Sequence, residues 1–252
     1  MTMKKMIALV SVLLLILSLT GCRGSGVLKE SKVYEVASEV HSLRISVSAA
    51  EFTVRHGEAF SVESNLKYLS VSEKDGVLSV LDETKSAFNR TDGKLTLYIP
   101  KDAVFEDVRI TTGAAKMKAV ALSAKTLAMQ LGAGDVELEA LDITTRADIE
   151  GGAGRITVGG GSIRNLHLET GVGALRISAA LFGENELELG VGASDITLIG
   201  KREDYAVDID KGIGAVTVDG AAVSDFGSST DTGNSVEIES GIGAVNIMFS
   251  EK

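Results

Sequence analysis

The chain has 252 residues, with 28 glycines, one proline, one cysteine and no tryptophan, and its 35 acids outnumber 25 lysines and arginines for a formal net charge of −10. A lone cysteine excludes a disulfide within the chain, and the negative balance excludes electrostatic binding to nucleic acid or anionic lipid while favouring cations and basic partners. Abundant glycine and β-branched residues with few aromatics disfavour a helix bundle and favour strands joined by tight turns.

At the start of the chain, Lys4 and Lys5 precede an apolar run from Ile7 to Leu19, and small residues lead to Cys22. This is the outline of a secretory signal. It is short of the roughly 20 apolar residues that a membrane span needs. The string Leu19-Thr20-Gly21-Cys22 resembles the bacterial lipoprotein signal, which implies cleavage before Cys22 and a diacylglycerol thioether on it. Two acyl chains hold a protein on a membrane where one is marginal. Residues 1–21 are therefore expected to be removed, taking two lysines and moving the formal charge from −10 to −12. Residues 22–42 are expected to be a lipid-anchored tether, polar and small from Arg23 to Lys32.

Next, residues 43–104 are expected to form an N-terminal β cap containing a degenerate first repeat, LRISVSAAEFTV from Leu43, with Ser48 in place of a glycine. Asp75-Gly76 reads as a hairpin turn, and Lys94–Pro100 reads as a strand ended by its proline. A cap is needed because an open sheet edge invites association.

Residues 105–249 carry a repeat. Its first glycine falls at 113, 132, 152, 171, 190, 212 and 241, in steps of 19, 20, 19, 19, 22 and 29. Each copy holds a G-x-G-like corner. A dinucleotide fingerprint occurs once and opens a helix; here the motif recurs, and no helix follows it. The corner glycines Gly132, Gly134, Gly152, Gly154, Gly171, Gly173, Gly190, Gly192, Gly212, Gly214, Gly241 and Gly243 are therefore read as structural. In the fourth copy Leu166, Leu168 and Val172 share one parity, and beyond the glycines the inward set shifts to Leu175 and Ile177. Asn185 and Ala147 are weak members of the first apolar column, and Asp195 is read as one extra residue in a β-bulge. Leu122, Leu141 and Leu181 are placed on a short third side, and Ala221 to Asn234 reads as a loop. The prediction is an all-β parallel β-solenoid of about seven 19–20-residue coils, stacked at roughly 4.8 Å. An antiparallel sandwich would leave the near-constant step without a cause.

The outward position two before the first glycine carries Glu150, Glu169, Glu188, Asp210 and Glu239, after Thr111 and Gln130. Two residues earlier stand Asp148, Glu186, Asp208 and Glu237, with His167 interrupting. In-register stacking would set neighbouring carboxylates about 5 Å apart, repelling by about 0.9 kcal/mol in water. Such a ladder is either a solubilising face or a contact surface for divalent cations, bound weakly, or for a basic partner. The histidines His41, His56 and His167 lie in separate segments, so no metal site is expected, and no other cofactor. No serine sits in a nucleophile context, and no catalytic residues are assigned. Only Lys201 to Tyr205 and Ala221 to Asn234 are long enough to wall a cleft, which leaves a polysaccharide-acting enzyme as the minor alternative.

The recurrent x-L-x-L-x-x-G-x-G-x-V-x-V unit and its approach, YIPKDAVFEDVRITTGAA, resemble the toastrack domain family of bacterial adhesin-like envelope proteins, from about Leu43 to Phe249. The resemblance implies a β-helix-like repeat domain outside the cytoplasm, a scaffolding or adhesive role, and for some members an association with envelope stress. It supplies no catalytic residues. The protein expected is thus a lipid-anchored interaction or scaffold protein of the cell envelope. Its contacts would be the membrane, through its lipid, and an envelope protein or other basic partner.

Overall fold

The computed structural model describes residues 26–84, 92–223, 226–227 and 233–251. The signal segment and Cys22 lie outside the described residues. Alternating burial along nearly every strand shows one face turned to a common core, as the period-two pattern requires.

Among the described residues the strands stack in nine parallel layers. Layer 1 is Val77–Asp82 with Lys94–Pro100, and layer 2 is Ser42–Val47 with Glu51–Gly57. Layer 3 is Val104–Ala114 with Lys116–Ala119; layer 4 is Leu122–Leu138; layer 5 is Leu141–Val158. Layer 6 spans residues 161–177 and layer 7 residues 179–199. Layer 8 is Asn234–Ile242 with Val245–Ser250, and layer 9 is Ala206–Ile213 with Val216–Val218. At the usual inter-strand spacing the stack is about 38 Å long. Two columns run its length inside: Leu78, Leu43, Val108, Leu127, Ala147, Leu166, Asn185, Val236 and Val207, then Val80, Ile45, Ile110, Met129, Ile149, Leu168, Leu187, Ile238 and Ile209, all buried.

The parallel solenoid is thus the fold, but the chain does not visit its layers in order. It fills layer 2 before layer 1, and layer 9 before layer 8. The last strands, Asn234–Ile242 and Val245–Ser250, insert between layers 7 and 9 and pair in parallel with both. Each outermost layer is then closed by antiparallel strands. At one end Leu69–Lys74 and Ser61–Leu66 pair with layer 1, and Val27–Glu35 pairs with Ser61–Leu66. At the other, Ala221–Val223 and Phe226–Gly227 pair with layer 9. Both ends turn on an Asp-Gly pair with both residues at positive φ: Asp75-Gly76 at 52° and 74°, Asp219-Gly220 at 49° and 77°. These angles suit a tight hairpin whose twist matches the strands.

Four expectations are corrected. The tether is shorter than 22–42, because Val27–Glu35 is a strand and Tyr34 and Val40 are buried. The cap contains a full parallel layer, layer 1, because Phe52 and Val54 need apolar partners and find Leu95 and Leu97. The described part of Ala221–Asn234 includes strands that close layer 9, not only loop. No bulge occurs at Asp195: Ser194 lies opposite Val245 and Ile196 opposite Ile247 with no register shift. Ser194 simply occupies an inward place that other copies give to an aliphatic residue, and its N–H donates to the Ala244 carbonyl.

Asn185 shows how a polar residue is tolerated in the core column. Its Oδ1 accepts from the Leu166 N–H at 3.0 Å, and its Nδ2 donates to the Ser235 carbonyl at 2.9 Å. The side chain thereby bridges three layers with its buried polar atoms paired, which removes the desolvation cost of an unmet amide. On the third side, Leu122 stacks on Leu141, while Leu181 belongs to the neighbouring column with Ile143 and Ile163.

Candidate functional site

The corner glycines form two columns in layer order. Gly132, Gly152, Gly171, Gly190, Gly241 and Gly212 occupy the first; Gly134, Gly154, Gly173, Gly192, Gly243 and Gly214 the second. Gly173 shows why: its φ is 153°, and a Cβ there would overlap the carbonyl oxygen of Gly154 in the layer beneath. The corner therefore leaves bare backbone on both sides of the residue between the glycines. That residue points outward. Val172, expected to share the inward parity of Leu168, is 60% exposed, because the chain turns at Gly171.

On the flat side before this corner stand the two outward rows. In spatial order the first reads Thr111, Gln130, Glu150, Glu169, Glu188, Glu239, Asp210. The five carboxylates expected to be neighbours are neighbours, but Glu239 lies between Glu188 and Asp210. The second row reads Arg44, Arg109, Ala128, Asp148, His167, Glu186, Glu237, Asp208. One face thus changes sign along the stack. Its second row is cationic at layers 2 and 3, where Arg109 pairs with Asp107 of the same strand at 2.8 Å, and the two rows carry six carboxylates on layers 7 to 9.

Several acids elsewhere on the stack are paired with a cation. Lys125 pairs with Glu106 at 2.8 Å, Lys118 with Glu137 at 2.7 Å, and Arg146 with Asp148 through its Nε at 2.8 Å. Hydrogen bonds from these cations hold Glu106, Glu137 and Asp148 below the usual carboxylate range. On layers 7 to 9, no cation among the described residues pairs with Glu188, Glu237, Glu239, Asp208 or Asp210.

His167 was expected to be a solvated interruption. Stacking sets its Nδ1 3.2 Å from Glu186, and ligand atoms of His167, Glu186 and Glu188 lie within 4.8 Å of one another. One imidazole and two carboxylates could hold a metal ion in type, but the trio lies on an open strand face without a fourth protein ligand in the group. His41 and His56 are elsewhere, both at layer 2.

The connections proposed as walls border a depression of about 470 Å³ lined by Phe182, Ile199, Asp204, Tyr205 and Asn234. Its polar groups are engaged in structure. Tyr205 donates to the Ile199 carbonyl at 2.6 Å, Asp204 accepts from the Lys201 N–H at 2.9 Å, and Asn234 accepts from the Gly183 N–H at 3.1 Å. Asp204 is the one carboxylate among these lining residues, where glycoside hydrolysis calls for a pair.

The residue between the glycines forms a further outward row that the alternating pattern does not predict. In spatial order it reads Ala114, Ala133, Ala153, Val172, Val191, Ile242, Ile213. The change from alanine to valine and isoleucine was visible in the repeats. Its exposure was not, because the corner reverses the parity.

Among the described residues, no helix is long and apolar enough to cross a membrane. No curated protein matches the chain. Among solved structures, the chain is similar to a "putative adhesin" from Bacteroides fragilis NCTC 9343 at 14% identity, over 86% of this chain and 95% of that one, with a TM-score of 0.44. It is similar to a "putative cell adhesion protein" from Clostridium sporogenes ATCC 15579 at 14% identity, over 88% and 99%, with a TM-score of 0.35. It is also similar to a "putative lipid binding protein" from Parabacteroides distasonis ATCC 8503 at 16% identity, over 90% and 96%, with a TM-score of 0.34. The profile of the family described as Toastrack DUF4097 matches residues 35–241. That match spans most of the layers, and the chain belongs to the toastrack family.

Proposed function

We propose that this protein is a lipid-anchored, extracytoplasmic interaction or scaffold protein of the bacterial envelope, without catalytic activity, whose contact surface lies on the acidic end of the stack. The observation that carries the reading is the run of uncompensated carboxylates on layers 7 to 9, presented in register on a flat face. A rigid parallel stack fixes the spacing of these groups without loops, which favours recognition of a basic partner over chemistry in a cleft. The lipid at Cys22 would hold the domain at a membrane surface, and its negative charge would keep it from lying flat on anionic lipid.

The test places a photo-crosslinking residue at Glu188 and, as control, at Thr53 on the opposite leg of layer 2, in cells. A partner captured from Glu188 and lost when Glu237 and Glu239 become lysine supports the role. Equal capture at both positions contradicts it. Anchoring is tested separately: Cys22→Ala should abolish labelling by a fatty-acid analogue and release the protein from the membrane fraction.

Weak cation binding on the same ladder is a second reading, favoured by the His167, Glu186 and Glu188 cluster. Titration with calcium and with zinc at millimolar concentration should give heat and a rise in Tm; flat titrations would remove it.

A further inference from the structure

Beside the acidic rows runs a ridge of exposed aliphatic side chains. Val172, Val191, Ile242 and Ile213 stand on layers 6, 7, 8 and 9 with exposures of 60, 46, 51 and 72%. They are consecutive in space, since Val191 lies opposite Ile242 and Ile242 opposite Ile213. Each is flanked by glycine on both sides, so no neighbouring side chain along the strand covers it. The corner itself does not demand this. Layers 3 to 5 make the same turn with alanine at the same place. The larger side chains begin on layer 6, one layer after Asp148 and Glu150, and continue over layers 7 to 9, where both outward rows are acidic. A contiguous apolar ridge rimmed by charge on a soluble face marks an interaction site.

From the proposed interaction role, we infer that this ridge, together with Glu169, Glu188, Glu239 and Asp210, docks a cationic amphipathic helix of a partner protein. The dimensions fit. Each acid precedes its ridge residue by three positions, about 10 Å along an extended chain. That is close to the width of a helix, about 10–12 Å with side chains. Ridge residues repeat at about 4.8 Å between layers, against about 5.4 Å per helical turn. A helix lying along the stack can therefore place one aliphatic residue per turn against each layer, drifting by about 2 Å over the four. Only one flank is acidic. On the other, Arg176 pairs with Asp195, Asn246 donates to Asp195, and Thr217 donates to Asn246. The helix should carry its lysines or arginines along one side of its apolar stripe.

Charge selects this occupant over the others. A second copy laid antiparallel, ridge to ridge, would bring two carboxylate rows together, and in either direction it would add its own net charge of −10. An anionic lipid surface or a nucleic acid would meet the same repulsion. A cationic helix gains from both the ridge and the rows.

The test uses the full lipidated chain in zwitterionic phosphatidylcholine nanodiscs, with empty nanodiscs as reference. Three fluorescent peptides of 18 residues are compared by anisotropy: a Leu/Lys amphipathic helix, its Leu/Glu counterpart, and a Leu/Lys scramble with no apolar face. Saturable binding of the first alone is expected. Val191→Ala with Ile242→Ala, which installs the residue that layers 3 to 5 already use, should weaken it at least tenfold without changing the far-ultraviolet spectrum. Glu188→Gln with Glu239→Gln should weaken it severalfold and reduce its salt dependence. Equal binding of the Leu/Glu peptide or of the scramble, unchanged affinity in the alanine pair, or a wild-type dimer that the alanine pair abolishes would overturn the proposal. Partner capture at Glu188 in cells that survives the alanine pair would retain the interaction role and reject the ridge. Loss of capture with intact peptide binding would do the reverse.

Discussion

Layers 3 to 7 follow one another in space as they do in sequence, whereas each end of the stack exchanges its last two layers. The middle is governed by the repeat: every layer has the same neighbour above and below, so the shortest connection wins. The ends are governed by the exposed edge. A parallel layer left open would offer unpaired N–H and C=O groups to any passing strand. The chain fills the outermost layer while a hairpin is at hand to close it, through Asp75-Gly76 at one end and Asp219-Gly220 at the other. The inner layer is formed by the strands nearest each end of the repeat array in sequence. Neither terminal repeat of the sequence lies at an edge.

The strongest way to break this contrast is to remove the C-terminal strands. Ending the chain at Gly233 deletes layer 8 and leaves layer 9 without its parallel neighbour. Amide exchange across 206–218 should rise to free-chain rates, and the new edge on layer 7 should drive association. Unchanged protection of 206–218 would mean that layer 9 does not depend on the inserted strands. A large effect is also expected in the middle. Gly173→Val forces a β-branched residue to a φ of 153° and into the Gly154 carbonyl, which should cost more than about 4 kcal/mol. Urea unfolding would read it, and a wild-type midpoint would contradict the stacked corner.

How much of this was legible follows from what a column pattern contains. The inward residues, the corner glycines and the acidic positions are local to each copy, and the 19-residue step aligns them. The order of layers is not local. Leu187, Ile238 and Ile209 are interchangeable as neighbours, so the pattern accepts any order. The connections held the remaining signal. The glycine step lengthens from 19 to 22 and 29 where the chain skips a layer and returns. Layer 1 escaped notice for another reason: its two strands, Val77–Asp82 and Lys94–Pro100, are separated by a long connection and have no glycine corner. The aliphatic ridge was visible as residues and hidden as a surface, because the turn at Gly171 breaks strict alternation.

Leu168 in layer 6 and Leu78 in layer 1 are both fully buried. If antiparallel strands close the end as well as a parallel layer would, Leu168→Ala and Leu78→Ala should cost similar amounts, about 2–5 kcal/mol each. A much smaller cost at Leu78 would show that the end frays.

The smallest effect lies on the surface. The Arg146 guanidinium holds Asp148 below its ordinary value. A depressed carboxylate stabilises the fold above its unfolded value, about 3.9, and loses that contribution as pH falls through the folded one. The pair is largely solvent-exposed, so Arg146→Ala should cost less than about 1 kcal/mol at pH 7. Denaturation curves of the two proteins should converge in acid. A gap that widened below pH 4 would contradict the sign.

Layer order itself can be read with paired cysteines in a Cys22→Ser background. Glu188 and Glu239 occupy adjacent layers, at a Cα separation of about 4.8 Å, within disulfide range. Glu188 and Asp210 are separated by the inserted layer, about 9.6 Å apart and beyond that range. Mild oxidation should therefore link Glu188→Cys to Glu239→Cys rapidly and leave Glu188→Cys with Asp210→Cys reduced. Rapid linkage of the second pair in place of the first would mean that the layers follow the sequence, and that the C-terminal strands do not insert.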